Sequence, residues 1–269
     1  MIKEAVRNGV MRVKISACII TFNEEANIRR CLESVKWCDE IVILDSFSTD
    51  KTQDICREYT DNIFQNEWMG YVGQRNLIRE KATCEWVFYL DADEEVSSEL
   101  QTEIFEQLES YSEKIVGYQF PRRVQYLGKW VLHGEWYPDI KLRLFKKDVG
   151  KSVGSEPHDY VIVDGAVKTL KYPINHYTYS GIEDHLKTVN NFTTIAADEK
   201  FKKNLRCSWF SIFFRSQWRF VRGYILKAGF LDGKRGLLIA LISSFSVFIK
   251  YTKLWERHLL ESEKTTGDE

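Results

Sequence analysis

The densest reactive stretch of the chain is Asp91-Ala-Asp93-Glu94-Glu95, with four carboxylates in five positions. It follows directly on Trp86–Leu90, a run that is apolar throughout. Like charges packed so closely repel one another. Such a cluster is tolerable as a solvated turn after a buried strand, or beside a bound cation. The second reading has specific chemistry. Two hard carboxylate ligands on alternate residues, Asp91 and Asp93, suit Mg2+ or Mn2+, and an ion held there can bridge substrate phosphates. A calcium-binding EF-hand loop is excluded, because the sixth position is Val96 where that loop requires glycine.

The elements that must position these residues alternate regularly. Val13–Thr21 reads as an apolar, β-branched strand, and Glu24–Val35 places Ala26, Ile28, Leu32 and Val35 near a helical period. A second strand covers Ile41–Leu44 and ends at Asp45. Ser48 is placed to cap a helix over Thr49–Glu58, with Asp50 in its first turn. A third strand over Asn62–Gln65, a helix over Gly70–Lys81, a fourth strand over Glu85–Leu90 and a helix from Ser97 to Leu108 complete the series. Strands alternating with helices of this length imply a parallel sheet covered on both faces. In such sheets ligands bind beyond the carboxyl ends of the strands, where Asn23, Asp45 and Asp91 all fall. That shared edge favours the cation reading over a random polar turn. The turn after the first strand, Thr21-Phe-Asn-Glu-Glu-Ala-Asn-Ile28, lacks both the G-x-G-x-x-G and the P-loop glycines, so a phosphate bound here needs another source of neutralising charge.

From Tyr118 the pattern changes to strands over Tyr118–Pro121, Ile140–Phe145, Tyr160–Val163 and Val167–Leu170, with loops rich in Trp, Tyr, His and Gly between them. A helix is expected over Gly181–Lys200. The 269 residues suffice for one large α/β domain with an appendage, and at 44% hydrophobic and 29% charged they can bury a core. The formal net charge of −1 conceals an uneven distribution: Arg206–Lys253 holds nine Lys/Arg against one acid, Asp232. Within this segment Gly236–Ile249 is apolar for 14 residues, short of the roughly 20 needed to span a bilayer. It is preceded by aromatic residues interleaved with arginine. The segment is therefore expected to dock on an anionic membrane surface without crossing it, the alternatives being packing on the body of the protein or a homo-oligomer interface. Nucleic acid is not expected as a partner, because no recognition motif accompanies the basic balance. The six cysteines show no C-x-x-C spacing and are expected to be reduced thiols of a cytosolic protein. The N-terminal Met1–Lys14 has no apolar core, so no signal peptide is expected there.

Four segments together, ACIITFNEEANIRRCLESV, EIVILDSFSTDKT, GQRNLIREKATCEWVFYLDADEEV and WYPDIKLRLF, resemble the family 2 inverting glycosyltransferases of GT-A fold. The likeness is in particular to bacterial lipopolysaccharide and lipooligosaccharide core β-1,4-glucosyltransferases. The core motifs span Ile15–Val96, and looser similarity continues through GFLDGKRGLLIA.

The resemblance implies an α/β GT-A domain over residues 12–200. It would comprise a doubly wound nucleotide-binding sheet and a mixed-sheet acceptor half, followed by a helical C-terminal extension over 201–269. It implies transfer of a hexose, glucose from UDP-glucose being the expectation, to a lipid-linked or lipopolysaccharide-core saccharide. The setting would be the inner face of the cytoplasmic membrane. Thr21, Asn23, Asp45 and Arg75 match positions lining the nucleotide pocket. Asp91 would lie near the ribose and the metal-bound water, Asp93 would be the direct ligand of Mg2+ or Mn2+, and His176 would approach the metal or diphosphate.

Inversion by direct displacement needs one base for the acceptor hydroxyl. Asp159, in the loop Pro157-His-Asp-Tyr160, stands where the subgroup carries a glutamate after a histidine. It is the expected base, with Glu156, Glu135 and Asp139 as rivals and His158 as its orienting partner. Trp136, Tyr137 and Arg143 would flank the acceptor cleft. Two other readings remain at this stage: a metal-dependent nucleotidyltransferase, and a non-catalytic binding protein that keeps the fold.

Overall fold

A computed structural model of the chain describes residues 13–110, 114–155 and 158–267, the side chains of His158 and of 263–267 excepted. It resolves into two compact units. The first runs to Arg122 and also takes Ile140–Ser155 and Asp159–His176; the second holds Arg123–Asp139 and the chain from Tyr177 onward. The helix expected over Gly181–Lys200 lies in the second unit.

In the first unit the alternation takes the form β1 (Ile15–Thr21), α1 (Ile28–Ser34), β2 (Glu40–Asp45), α2 (Thr52–Arg57), β3 (Ile63–Gln65), α3 (Gly70–Lys81), β4 (Trp86–Asp91), β5 (Glu94–Val96) and α4 (Ser98–Glu109). Along the chain then come β6 (Ile115–Tyr126), whose end passes into the second unit, β7 (Lys129–Trp130) in that unit, and β8 (Asp139–Lys146), β9 (Gly150–Ser155), β10 (His158–Val163), β11 (Ala166–Thr169) and β12 (Ile174–His176). The strand order is β3-β2-β1-β4-β8-β6-β12-β5, with β11 beside β6. Strands β1–β4 run parallel, and β8 joins β4 antiparallel, so the sheet is mixed.

Period-two alternation explains why helices cover both faces. Ile15, Ala17 and Ile19 of β1, with Trp86, Phe88 and Leu90 of β4, pack on one side against Ile28 and Leu32 of α1 and Leu100 and Ile104 of α4. Cys18 and Ile20, with Val87 and Tyr89, pack on the other side against Ile78 of α3. Successive strand residues therefore serve opposite cores, and each fully buried Ile, Leu or Phe contributes roughly 1.5–3 kcal/mol. The register sets Thr21 opposite Asp45 and Ile20 opposite Asp91, which brings the carboxyl ends of three strands level. All six cysteines are free, and burial pushes the Cys56 thiol up to about 12, which makes it a poor nucleophile at neutral pH.

Two helices start later than expected, and β6 runs well beyond the expected Tyr118–Pro121. Helix α2 starts at Thr52 because Ser48 does not cap it: the Ser48 N–H and hydroxyl both donate to Asp45, at 2.9 and 2.5 Å. Helix α1 starts at Ile28, after a turn whose Glu24 and Glu25 N–H groups donate to Thr52 Oγ1 and Asp50 Oδ2.

In the second unit the end of β6 pairs with β7, and Tyr126, Val131 and Ile239 form a small core. Helices α5 (Ile182–Lys202) and α6 (Trp209–Phe220) are followed by a π-helical turn over Val221–Leu226, a 3-10 turn over Gly229–Asp232 and α7 (Gly233–Gly267). The apolar run of 14 residues is only the start of α7, which extends for 35 residues because Lys250 onward continues in good helix formers. By length and composition α7 is sufficient to cross a bilayer.

Candidate functional site

The carboxyl ends of the parallel strands are stitched together by side chains. Asn23 adopts a left-handed backbone (φ 53°), a conformation asparagine tolerates better than most residues. Its N–H donates to Ser48 Oγ at 2.8 Å, and its Oδ1 accepts from Thr49 N at 2.8 Å. Asp45 is fully buried and accepts from Ser48 and from Gln53 Nε2 at 2.8 Å, so it shapes the loop after β2. Thr21 is buried at the end of β1, and its hydroxyl finds no hydrogen-bond partner among the described residues. Buried polar atoms are normally satisfied, so a free one at this edge is a place where a ligand would gain a bond.

Helix α3 carries Gln74, Arg75 and Asn76, and each binds a different part of the site. Gln74 Nε2 donates to Ser46 Oγ at 2.9 Å. Asn76 exchanges two 2.9 Å bonds with the backbone of Ser152 on β9. Arg75, buried between them, donates to Asp91 Oδ1 at 2.6 Å and to Asp159 Oδ2 at 2.7 Å. Its guanidinium lies over the Tyr89 ring, whose hydroxyl donates to the Arg75 carbonyl at 2.6 Å.

The acidic cluster is therefore neutralised chiefly by arginine. Asp91 Oδ2 also meets Arg143 at 2.9 Å and Arg122 at 3.8 Å. Burial alone would push its carboxyl up, but the three guanidinium groups prevail and hold it well below the usual carboxylate range. Glu94 has no exposed side-chain surface. It accepts from Arg122 at 3.0 Å, from Arg143 at 3.3 Å and from the Asp91 N–H at 3.0 Å, which closes the turn. Glu95 accepts from Asn175 Nδ2 at 3.0 Å. Asp93 is left facing His176, with Oδ2 and Nε2 3.0 Å apart, because β12 pairs antiparallel with β5 and sets His176 opposite Glu94. Glu24 adds to the negative edge: burial, and then the charges of Asp93, Asp50 and Asp91, push its carboxyl up.

Among the described residues no group of three or more His, Cys, Asp or Glu forms a ready metal centre. Asp93 and His176 are nonetheless an adjacent oxygen and nitrogen donor. Mg2+ and Mn2+ characteristically take one or two protein carboxylates and complete their shell with phosphate oxygens and water, so the Asp93 carboxylate fits such an ion, with the His176 nitrogen as a softer neighbouring donor.

The remaining expected residues disperse. Arg143 joins the acidic cluster through Asp91 and Glu94. Asp159 lies on β10 and also accepts from Ser152 Oγ at 3.3 Å, both of its contacts falling on Oδ2. Glu156 lies outside the described residues; for His158 the backbone begins β10 and the side chain is not described. In the second unit Glu135 anchors the C-terminal helices, meeting Arg219 at 2.9 Å and Arg222 at 2.8 Å. Trp136 packs edge-on against Tyr126 in a cluster with Tyr179 and His185. Burial lowers the His185 pKa to about 4, so that ring is neutral and accommodates the 3.0 Å contact with the Tyr126 hydroxyl. Tyr137 precedes Pro138, and Asp139 opens β8. The sequence assigns no role to Arg122 or to Glu94; the only local signal for Glu94 is its place among the four acids of the run.

The model of glycosyl transferase family 2 matches residues 16–168, which contain every residue of the acidic cluster. The chain belongs to glycosyl transferase family 2. Relatives extend this likeness to nearly the whole length. The lipopolysaccharide core biosynthesis glycosyltransferase LpsC of Rhizobium meliloti is 27% identical over 96% of this chain and 98% of its own. An uncharacterized glycosyltransferase of Rickettsia conorii is 30% identical over 97% and 96%. Among solved structures, S. aureus TarS 1-349 in complex with UDP-GlcNAc aligns at 13% identity over 92% of each chain, with a TM-score of 0.47. For this family 2 glycosyltransferase the α/β sheet, with its mixed strands and helical C-terminal part, agrees with the architecture expected from the sequence.

Proposed function

We propose that this glycosyltransferase moves a hexose, glucose from a UDP-linked donor, onto a saccharide of the lipopolysaccharide core or a related surface glycan, with inversion at the anomeric carbon. The acceptor class rests on the R. meliloti relative, a glycosyltransferase of lipopolysaccharide core biosynthesis. The observation that carries the reading is the strand-end edge itself. Asp93 faces His176 beside an arginine-bound Asp91, level with a buried Thr21 hydroxyl that lacks a partner among the described residues.

Asp93 and His176 would hold Mg2+ or Mn2+, which offsets charge on the diphosphate leaving group. Thr21 and Asn23 would meet the nucleotide, while Asp45 and Gln74 keep the loop after β2 in shape for it. Arg75, Arg122 and Arg143 keep Asp91 ionised and fixed, so its position needs no adjustment during reaction. In a single displacement the acceptor oxygen attacks the anomeric carbon, and the carbon–oxygen bond to the diphosphate breaks with its electron pair going to the leaving group. The acceptor proton passes to Asp159 Oδ1, the oxygen opposite the one bound by Arg75 and Ser152. No covalent glycosyl-enzyme is required, unlike in retaining glycosidases.

A screen of nucleotide sugars for cation-dependent release of nucleoside diphosphate tests this. The expected result is release from a UDP-hexose, stimulated by a saccharide acceptor. Release of pyrophosphate would indicate nucleotidyl transfer instead, and tight nucleotide binding without release from any donor would indicate a binding protein.

A further inference from the structure

We infer that the second unit carries a membrane-docking face, formed by α6, the turns after it and the start of α7, that lies in the surface of an anionic bilayer without crossing it. The inference stands on this unit alone and does not depend on the reading of the acidic cluster.

The apolar exposure is unusual for a water-facing surface. Phe210 is 81% exposed, Phe213 62%, Phe214 61% and Leu226 63%, with Trp209, Trp218, Ile225, Phe230 and Leu231 at about half or more. Phe210 and Phe214 stack in parallel, one helical turn apart, on the outside of α6. On α7, Leu237, Leu241 and Phe245 continue an exposed stripe at four-residue spacing, while Ile239, Ala240 and Ile242 are buried beneath it. Large apolar side chains exposed in this number on neighbouring elements mark an interaction site.

The charge identifies the occupant. Asp232, the one acid of the segment Arg206–Lys253, is not free to balance its cations. It accepts from the N–H groups of Leu132 and His133 at 3.2 and 2.9 Å and from His133 Nδ1 at 2.9 Å. A single glutamate, Glu135, faces Arg219, Arg222 and Lys227 together. Arg206, Arg215 and Lys234 are exposed beside the aromatics. A second copy of this face would meet it with the same positive sign, which opposes self-association. An anionic headgroup layer supplies the opposite charge, and the interfacial zone accepts the rings.

Polar ties along α7 decide between lying in the surface and spanning. Arg235 Nε donates to the Leu127 carbonyl at 3.0 Å, Ser244 Oγ to the Ser216 carbonyl at 2.8 Å, and Lys253 Nζ to the Asn190 carbonyl at 2.8 Å and Thr194 Oγ1 at 2.7 Å. Arg257 pairs with Asp198 one turn further on. A helix crossing the hydrocarbon would break these bonds along its whole length and bury Lys250 and Lys253 in the apolar layer.

The test is co-sedimentation of the full-length protein with vesicles of phosphatidylcholine alone and of phosphatidylcholine with phosphatidylglycerol. Binding is expected only with the anionic lipid, weakening as salt rises. The double substitution Phe210→Ser/Phe214→Ser should lower the partition coefficient at least about tenfold. Arg206→Gln/Arg215→Gln should do so by a similar factor. All four positions are exposed, and unchanged melting of each variant would show that the loss is not unfolding. Bound protein should be released by alkaline carbonate. Equal binding to neutral vesicles, full binding by the phenylalanine variant, retention after carbonate, or a lipid-free dimer that the phenylalanine variant dissolves would each overturn the proposal.

Discussion

Asp91 and Asp93 stand two residues apart and have different neighbours, so their substitution should have different consequences. Asp91→Asn removes the partner of three guanidinium groups, two of them on the buried Arg75 and Arg143. Leaving buried charge uncompensated typically costs about 3–5 kcal/mol. We expect that variant to melt markedly lower and to lose activity with it, as scanning calorimetry alongside the release assay would show. Asp93→Asn keeps the shape and breaks only the contact with His176, so its melting temperature should stay close to that of the parent while cation-dependent nucleotide binding disappears. Equal melting of the two variants would contradict the assignment. Glu94→Gln should fall between them, since the amide can still accept from Asp91 N but no longer balances Arg122 and Arg143. The acidic turn was legible in the sequence from its position after an apolar strand. Its arginines were not, because Arg75, Arg122 and Arg143 come from a helix and two later strands and share no local spacing.

Elements were legible where local pattern and tertiary packing agree. The strands β1, β2 and β4 and the helices α3 and α4 follow alternation or a cap that the fold keeps, Ser97 Oγ accepting from Leu100 N at 3.2 Å as a capping serine should. Ser48 was misread because its capping chemistry is taken by Asp45, a partner on the preceding strand. The apolar run ends at Ile249 whereas α7 does not, because helix propensity continues beyond it. The segment GFLDGKRG has a reason at this scale too. A Cβ on Gly236 would lie 1.8 Å from the Gly229 carbonyl oxygen, and one on Gly229 would lie 2.6 Å from the Gly223 carbonyl oxygen. These contacts are with backbone and cannot be relieved by a side-chain rotation. Gly236→Ala should therefore destabilise the start of α7 by about 1–3 kcal/mol through overpacking, despite alanine's better helix propensity. A melting temperature equal to or above that of the parent would show that the turn yields more easily than these distances imply.

At the scale of the molecule, each compact unit has a core of its own. The first is built on the two faces of the β1–β4 sheet, and the second on Tyr126, Val131 and Ile239 with the aromatic cluster around His185. A unit with its own core can unfold as its own cooperative step. The nucleotide-binding residues proposed here, Thr21, Asn23, Asp93 and His176, all lie in the first unit. A ligand that binds only the folded form stabilises it by about 2.7 kcal/mol at a hundredfold excess over Kd. For a unit of this size that corresponds to a rise of roughly 5–10 °C in Tm. Calorimetry with UDP and Mn2+ together should raise the transition of the first unit and leave that of the second in place. Gly236→Ala should do the reverse, lowering the second transition without weakening the nucleotide response. Mn2+ or UDP alone should give much smaller shifts, because two protein donors hold the ion weakly until phosphate oxygens complete its shell. If UDP shifts the first transition equally with and without Mn2+, and Asp93→Asn leaves that shift intact, the cation is not part of the binding site and the arginine-bound acidic turn must receive the nucleotide unaided.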